Sequence, residues 1–238
     1  MGYGYYGYGY GMGMNASYLL LVIVSLVLGL GTQAYIKKTY RKWSGVPASI
    51  RGTGAEVARR MLDEGGAGSV GITRIAGELT DNFDPRDGQL HLSGDNFGGA
   101  SVASVAVACH EAGHAVQAAK GFSFYRLRAS LVPVVNFASN AWSVLLVLGV
   151  FMNTMGLVKV GILLFAATVV FSLVTLPVEI DASRRAVAFL AKNGAGVDQK
   201  GARQVLTAAA LTYVAAALVS ILQLVYLLVQ YGGDRDRR

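Results

Sequence analysis

The sequence predicts a mainly α-helical integral membrane protein, with about four transmembrane helices and a small α+β domain on one side of the bilayer. Three observations carry this. Of 238 residues, 53% are hydrophobic and only 15% charged, against roughly 25% charged in ordinary soluble domains. The charges are segregated: none occurs in 1–36, 129–158, 160–178 or 204–233. Each of those stretches holds an apolar run long enough to cross the hydrocarbon core, which takes about 20 helical residues.

Taken in order, residues 1–16 form a Gly/Tyr-rich tail of low complexity, read as flexible chain. Residues 17–36 form the first crossing. The segment lacks a basic n-region, and no A-x-A site precedes the Lys/Arg cluster after it, so it reads as a retained anchor rather than a cleaved signal. The basic cluster "KKTYRKW" (37–43) then marks a membrane boundary. Further crossings are expected at 131–151 and 159–178, forming a transmembrane hairpin, and at 206–230, followed by a polar tail at 231–238.

Four crossings place 37–130 and 179–205 on one side. Segments 37–128 and 179–203 carry 12 and 5 Lys+Arg, 17 of the 21 in the chain. By the positive-inside rule that side is cytoplasmic. The net charge of +7 therefore serves topology, and no nucleic-acid partner is expected. A single cysteine, Cys109, excludes an intramolecular disulfide framework.

Within 37–130, "TGAEVARRMLDEGG" (53–66) reads as an amphipathic helix. Thr53 and Glu56 make a capping box, Val57, Ala58, Met61 and Leu62 form the apolar stripe, and Gly65-Gly66 is the stop. "SVGITRI" (69–75) and "GQLHLS" (88–93) alternate as strands, and "DPRDG" (84–88) is a turn between extended segments. A helix from about Ala100 to Lys120 follows.

That helix carries His110, Glu111 and His114 in an H-E-x-x-H arrangement. Residues i and i+4 share a helix face, so both imidazoles can meet one metal ion. Glu111, rotated about 100° away, reaches a water beside the metal without ligating it. Imidazole suits zinc, which brings the pKa of a bound water to about 7, and Glu111 is placed as general base and then general acid. Two of the chain's three histidines stand here; buried without a partner they would be costly. Gly113 lets another element approach closely, and Cys109 reads as a small buried residue.

A catalytic zinc takes three protein ligands and a water. Downstream of Glu111 and before the tail, the only acidic residues are Glu179, Asp181 and Asp198. Glu179 emerges at the membrane boundary after a there-and-back crossing, with Pro177 placed to break the span before it. Asp181 competes as the ligand, but Glu179, Ala182 and Ser183 share a helix face while Asp181 points elsewhere. His91, on a strand, is a weaker rival. Arg184 and Arg185 are candidates to pair with carboxylates or the membrane surface, or to steady a developing oxyanion.

"LTDNFDPRDGQLHLSGDNF", "SVASVAVACHEAGHAVQ" and "LPVEIDASRRA" together resemble the YugP-like neutral zinc metallopeptidases of bacterial membranes, over residues 40–230. The resemblance implies a membrane-embedded, gluzincin-like peptidase with a zincin-like domain, one Zn2+ per chain and a plan related to the HtpX-type and CAAX prenyl proteases. Those carry a downstream E-x-x-A-D whose Glu binds zinc and whose Asp orients a histidine. Here the stretch is Glu179-Ile180-Asp181-Ala182-Ser183, so Glu179 carries over as ligand and Ser183 replaces the aspartate. Asp181 or an upstream aspartate is then left to orient the histidine. By the same analogy "QLHLS" is the edge on which an extended substrate adds a strand.

The function expected is a zinc metalloendopeptidase cleaving polypeptides at or near the bilayer, with His110, His114 and Glu179 on the metal. The alternative is a non-catalytic zinc-binding membrane protein, a sensor or transporter. A transporter places ionisable ligands at mid-membrane, whereas these spans are almost free of charge. "AAALTYVAAALVS" allows close helix packing, within one chain or between copies.

Overall fold

The computed structural model describes residues 16–232; the Gly/Tyr-rich opening up to residue 15 and the tail from 233 lie outside them. The chain is mostly helical. In order it forms α1 (Ala16–Ser44), α2 (Gly54–Gly65), β1 (Gly71–Ile75), β2 (Asn82–Asp84), β3 (Gln89–Ser93), α3 (Gly94–Gly98), α4 (Val102–Ala119), α5 (Ser123–Phe151), α6 (Met155–Asn193) and α7 (Gly196–Tyr231). α1, α5, α6 and α7 are long and apolar enough to cross a membrane. Their outward faces expose large apolar side chains such as Leu30, Phe137, Leu163 and Val229. Aliphatic surface on that scale is stable against lipid and costly against water.

The local signals in 53–120 act as their chemistry dictates. At the start of α2, Thr53 accepts from the Glu56 backbone N–H while the Glu56 carboxylate accepts from the Thr53 N–H, a complete capping box. Gly66 ends the helix in the left-handed region at φ 80°. Ser101 caps α4, its hydroxyl accepting from the Ser104 N–H. Val57, Met61 and Leu62 of α2 pack with Val105, Ala108, Cys109 and Val116 of α4, and Leu90 and Leu92 of β3 join the same core. α4 is thereby clamped between the α2 and sheet layer on one side and α6 and α7 on the other.

Two expectations are corrected. First, the "QLHLS" strand is not an edge. The sheet order is β1-β3-β2, with β3 parallel to β1 and antiparallel to β2, so its hydrogen bonds are taken on both sides. Alternation of side chains reports that a segment is a strand and says nothing about its neighbours.

Second, Pro177 does not break the chain: α6 runs unbroken for 39 residues with Pro177 inside it. A helix-interior proline loses one backbone bond and clashes locally, a defect that neighbouring helices accommodate in a packed bundle. α6 ends at Asn193, and a short turn leads into α7 at Gly196. α6 and α7 simply continue past the predicted crossings, just as α1 carries the basic cluster on its last turns.

The α6–α7 turn is held to the rest by Asp198. This fully buried carboxylate accepts from the Ser49 N–H at 2.8 Å, the Ser49 hydroxyl and the Ile50 N–H at 2.9 Å. Hydrogen bonds to a charged group contribute about 1.5–3 kcal/mol each, and stripping one partner orphans buried donors. Asp198→Ala is therefore expected to lower stability by on the order of 3 kcal/mol or more. Thermal unfolding of the purified full chain in detergent checks this, with exposed Asp63→Ala as a near-neutral control.

Candidate metal centre

α4 and α6 meet with almost no side chain between them. A Cβ built on Gly113 would stand 2.8 Å from the Ala182 carbonyl oxygen and 3.1 Å from its Cα, so only glycine admits this approach. The contact brings the inner face of α4, bearing His110 and His114, against the turn of α6 bearing Glu179. The donor atoms of these three residues all lie within 4.8 Å of one another, and the three side chains are buried to within a tenth of their surface. The two imidazoles are 4.8 Å apart, edge to face.

Glu179 Oε2 lies 3.3 Å from His110 Nε2 and 3.5 Å from His114 Nε2. It is buried and has no hydrogen-bond partner. Buried polar atoms are very largely satisfied, so such an oxygen calls for an explanation. Zinc–ligand bonds of about 2.0–2.2 Å in a tetrahedron imply donor–donor separations of about 3.3–3.5 Å. The observed spacings fit that edge, and two imidazoles with one carboxylate are a donor set that zinc takes.

The far side of each ring is also arranged. The Gln117 side-chain amide donates from Nε2 to the Val178 carbonyl and to Asp181 Oδ2, both at 2.8 Å. Its Oε1 must then face His114 Nδ1, 3.0 Å away. An oxygen there accepts, so Nδ1 carries the proton and Nε2 keeps its lone pair free toward Glu179. Asp181 is itself held by the Arg185 guanidinium at 2.6 Å. Ser183 Oγ lies 3.2 Å from His110 Nδ1, where its hydroxyl hydrogen-bonds and orients the other ring. Such partners fix the tautomer and orientation of metal-binding histidines.

Each residue singled out in the sequence thus has a place. His110, His114 and Glu179 converge, and half-buried Glu111 stands beside them. Ser183 touches a histidine directly, and Asp181 acts on the other through Gln117 instead of joining the donor cluster. His91 sits away from it, paired with Asp87 at 2.9 Å. Arg184 is exposed and takes no part. Sequence reasoning missed Gln117, three residues beyond His114 and so on the same face. It also missed Tyr213 of α7, which lies beside Glu179 with Glu111 and Arg128 within electrostatic range. Arg128 Nε is buried without a partner.

Burial pushes the Glu111 carboxyl above the ordinary glutamate range, opposed by the neighbouring histidines. Burial pulls His114 down, but Glu179 and Glu111 outweigh it and the net shift is upward.

Four helices long and apolar enough to cross a membrane, together with a buried cluster of two histidines and a carboxylate that could hold a metal ion, define a class: helical membrane proteins with a metal-binding donor set. Within that class the chain belongs to the family described as "Putative neutral zinc metallopeptidase", which it matches over residues 18–232. It is also 41% identical over 211 residues to the "Putative membrane protease YugP" of Bacillus subtilis (strain 168), covering 88% of this chain and 94% of the relative. No solved structure matches the chain.

Two outcomes follow from the geometry. Gln117→Leu keeps the volume but leaves His114 Nδ1 without an acceptor, and is expected to weaken zinc binding about 10–100-fold. Competition with a chelator of known affinity measures it. The second concerns pH. Zinc needs neutral imidazole, and the His114 pKa is raised. Zinc binding is therefore expected to be strongest at high pH and to weaken progressively as pH falls below that raised pKa, because protons then compete for His114 Nε2. The metal-free protein runs the opposite way: the His114⁺ contribution to stability is complete below about 6.5 and is lost as pH rises through the raised value. Zinc content and melting temperature across pH 5–9 report both.

Proposed function

We propose that the chain is a membrane-embedded zinc metalloendopeptidase. In this reading a small zincin-like domain faces the cytoplasm from a bacterial plasma membrane and cleaves polypeptides at or near the bilayer. The observation that carries it is the unsatisfied Glu179 oxygen facing two imidazole nitrogens, with a second carboxylate, Glu111, alongside. A site built only to hold an ion has no use for that second carboxylate. The family and the YugP relative, each described as putative, support the same chemistry.

His110, His114 and Glu179 would hold the metal, which when bound would supply Lewis acidity toward water and the scissile carbonyl. Glu111 takes the proton from the attacking water, and its raised pKa keeps it basic enough to do so and acidic enough to pass the proton to the departing amine. Tyr213, on the α7 side of Glu179, supplies an O–H toward the carbonyl oxygen as negative charge develops there. Arg128, with a buried guanidinium nitrogen left unpaired, adds positive charge on that side. Gln117 and Ser183 keep the two Nε2 lone pairs aimed.

Glu111→Gln tests the assignment without disturbing the ligands. Zinc stoichiometry is expected to stay at one per chain while casein cleavage falls at least about a hundredfold. Cleavage that persists in the zinc-loaded variant places the base elsewhere, and a wild-type chain that holds zinc without cleaving any polypeptide returns the site to the sensor or transporter reading.

A further inference from the structure

Alongside the metal centre, α6 and α7 part to leave a groove of about 570 Å³. Its walls carry Ile180, Ser183 and Arg184 from α6 and Arg203, Leu206 and Thr207 from α7. The two helices run in opposite directions. Arg184 and Arg203 stand on the side away from the predicted crossings, which end at 178 and begin again at 206. Within about one turn toward the bilayer along each helix, the lining carries apolar Ile180 and Leu206, and apolar Val187 and Ala188 continue it beyond Arg184.

Arg185, next to Arg184 on α6, holds the Asp181 carboxylate. Arg184 and Arg203 are exposed, and among the described residues neither has a hydrogen bond or ion pair. Two unpaired guanidiniums on facing helices, just outside the predicted crossings and beside apolar Ile180 and Leu206, offer a phospholipid both a phosphate site and an apolar wall. Arginine is the side chain best matched to phosphate, which it engages through two parallel N–H bonds.

We propose that this groove seats one anionic phospholipid of the adjoining leaflet. Arg184 and Arg203 clamp its phosphate and the acyl chains descend past Ile180 and Leu206. Ser183 lines the groove and also bonds to His110, so the lipid lies directly behind the metal centre. The inference rests on the groove and its charges and holds independently of the peptidase reading.

The test uses the full chain in detergent supplemented with phosphatidylglycerol, with retained lipid counted by native mass spectrometry. Wild type is expected to keep one phosphatidylglycerol per chain and not to keep phosphatidylcholine. Arg184→Ala/Arg203→Ala is expected to reduce retention about thirtyfold. Lys37→Ala/Lys38→Ala, which removes the same charge from the basic end of α1, leaves it unchanged. All four positions are exposed, and unchanged melting temperatures verify the fold.

Equal losses in the two double variants reduce the effect to diffuse surface electrostatics and overturn the proposal. Displacement of the lipid by inorganic phosphate at 10 mM, a concentration set by the experiment and on the order of one that free-anion sites bind, also overturns it. So does retention that survives Arg184→Ala/Arg203→Ala while the KM for acidic peptides rises, which hands the groove to a polypeptide.

Discussion

The close approach of α4 to α6 at Gly113 is the constraint on which the site depends. Glu179 and the histidines are separated by more than sixty residues of chain, and α5 and most of α6 lie between them. Nothing local holds them together. Backbone contact at Ala182 does, because it removes the side-chain layer that normally keeps packed helices about 8–10 Å apart. A methyl group at 113 would collide with a carbonyl oxygen and a Cα, and backbone atoms have no alternative rotamer to adopt. The helices would have to separate, and the tetrahedral spacing at Glu179 Oε2 would widen with them.

Once the helices touch, the polar groups at the seam have to be satisfied, and the solution couples them. Gln117 is fully buried, so its amide needs all its partners. It takes the Val178 carbonyl and Asp181 from α6 and His114 from its own helix. The same bonds that stabilise the α4–α6 seam therefore set the His114 tautomer. Stability and site geometry are one network here, and such networks are costly when half satisfied. Glu179 Oε2 is the single member of this cluster left open, at the point where two nitrogen lone pairs also converge.

Parts of this were legible in the sequence and parts were not, for physical reasons. The His110–His114 pair is legible because helical periodicity is local, and Glu179 because acidic residues downstream are so scarce. Ser183 was recognised as standing where related peptidases have aspartate. Its substitution reads differently once Asp181 is seen to reach the other histidine through Gln117: the carboxylate is kept but acts one side chain removed. Gln117 and Tyr213 are ordinary residues by type, and only the packing of distant helices gives them a role. Pro177 is a sound stop signal for an isolated helix, and packing on both sides overrides it. The edge position of β3 failed because pairing order is a property of the whole sheet.

The unbroken α6 has a consequence for where the proposed chemistry takes place. At about 1.5 Å per residue, its 39 residues make a rod of about 58 Å, nearly twice the roughly 30 Å hydrocarbon thickness. Glu179 is one residue beyond the predicted end of the span, so its depth is fixed by the helix itself and not by a hinged loop. α7 is tied at its start by Asp198 to the 49–50 segment, which feeds α2 and its packing on α4. The metal cluster is thus braced from the membrane side by α6 and from the polar side by α2 and α4. On the proposed peptidase reading, a centre at that depth would meet water, which hydrolysis consumes, while standing within about one helical turn of lipid. Polypeptides confined to the bilayer surface would then reach it without leaving the membrane, and fully soluble ones would have to approach past the basic residues at the membrane boundary.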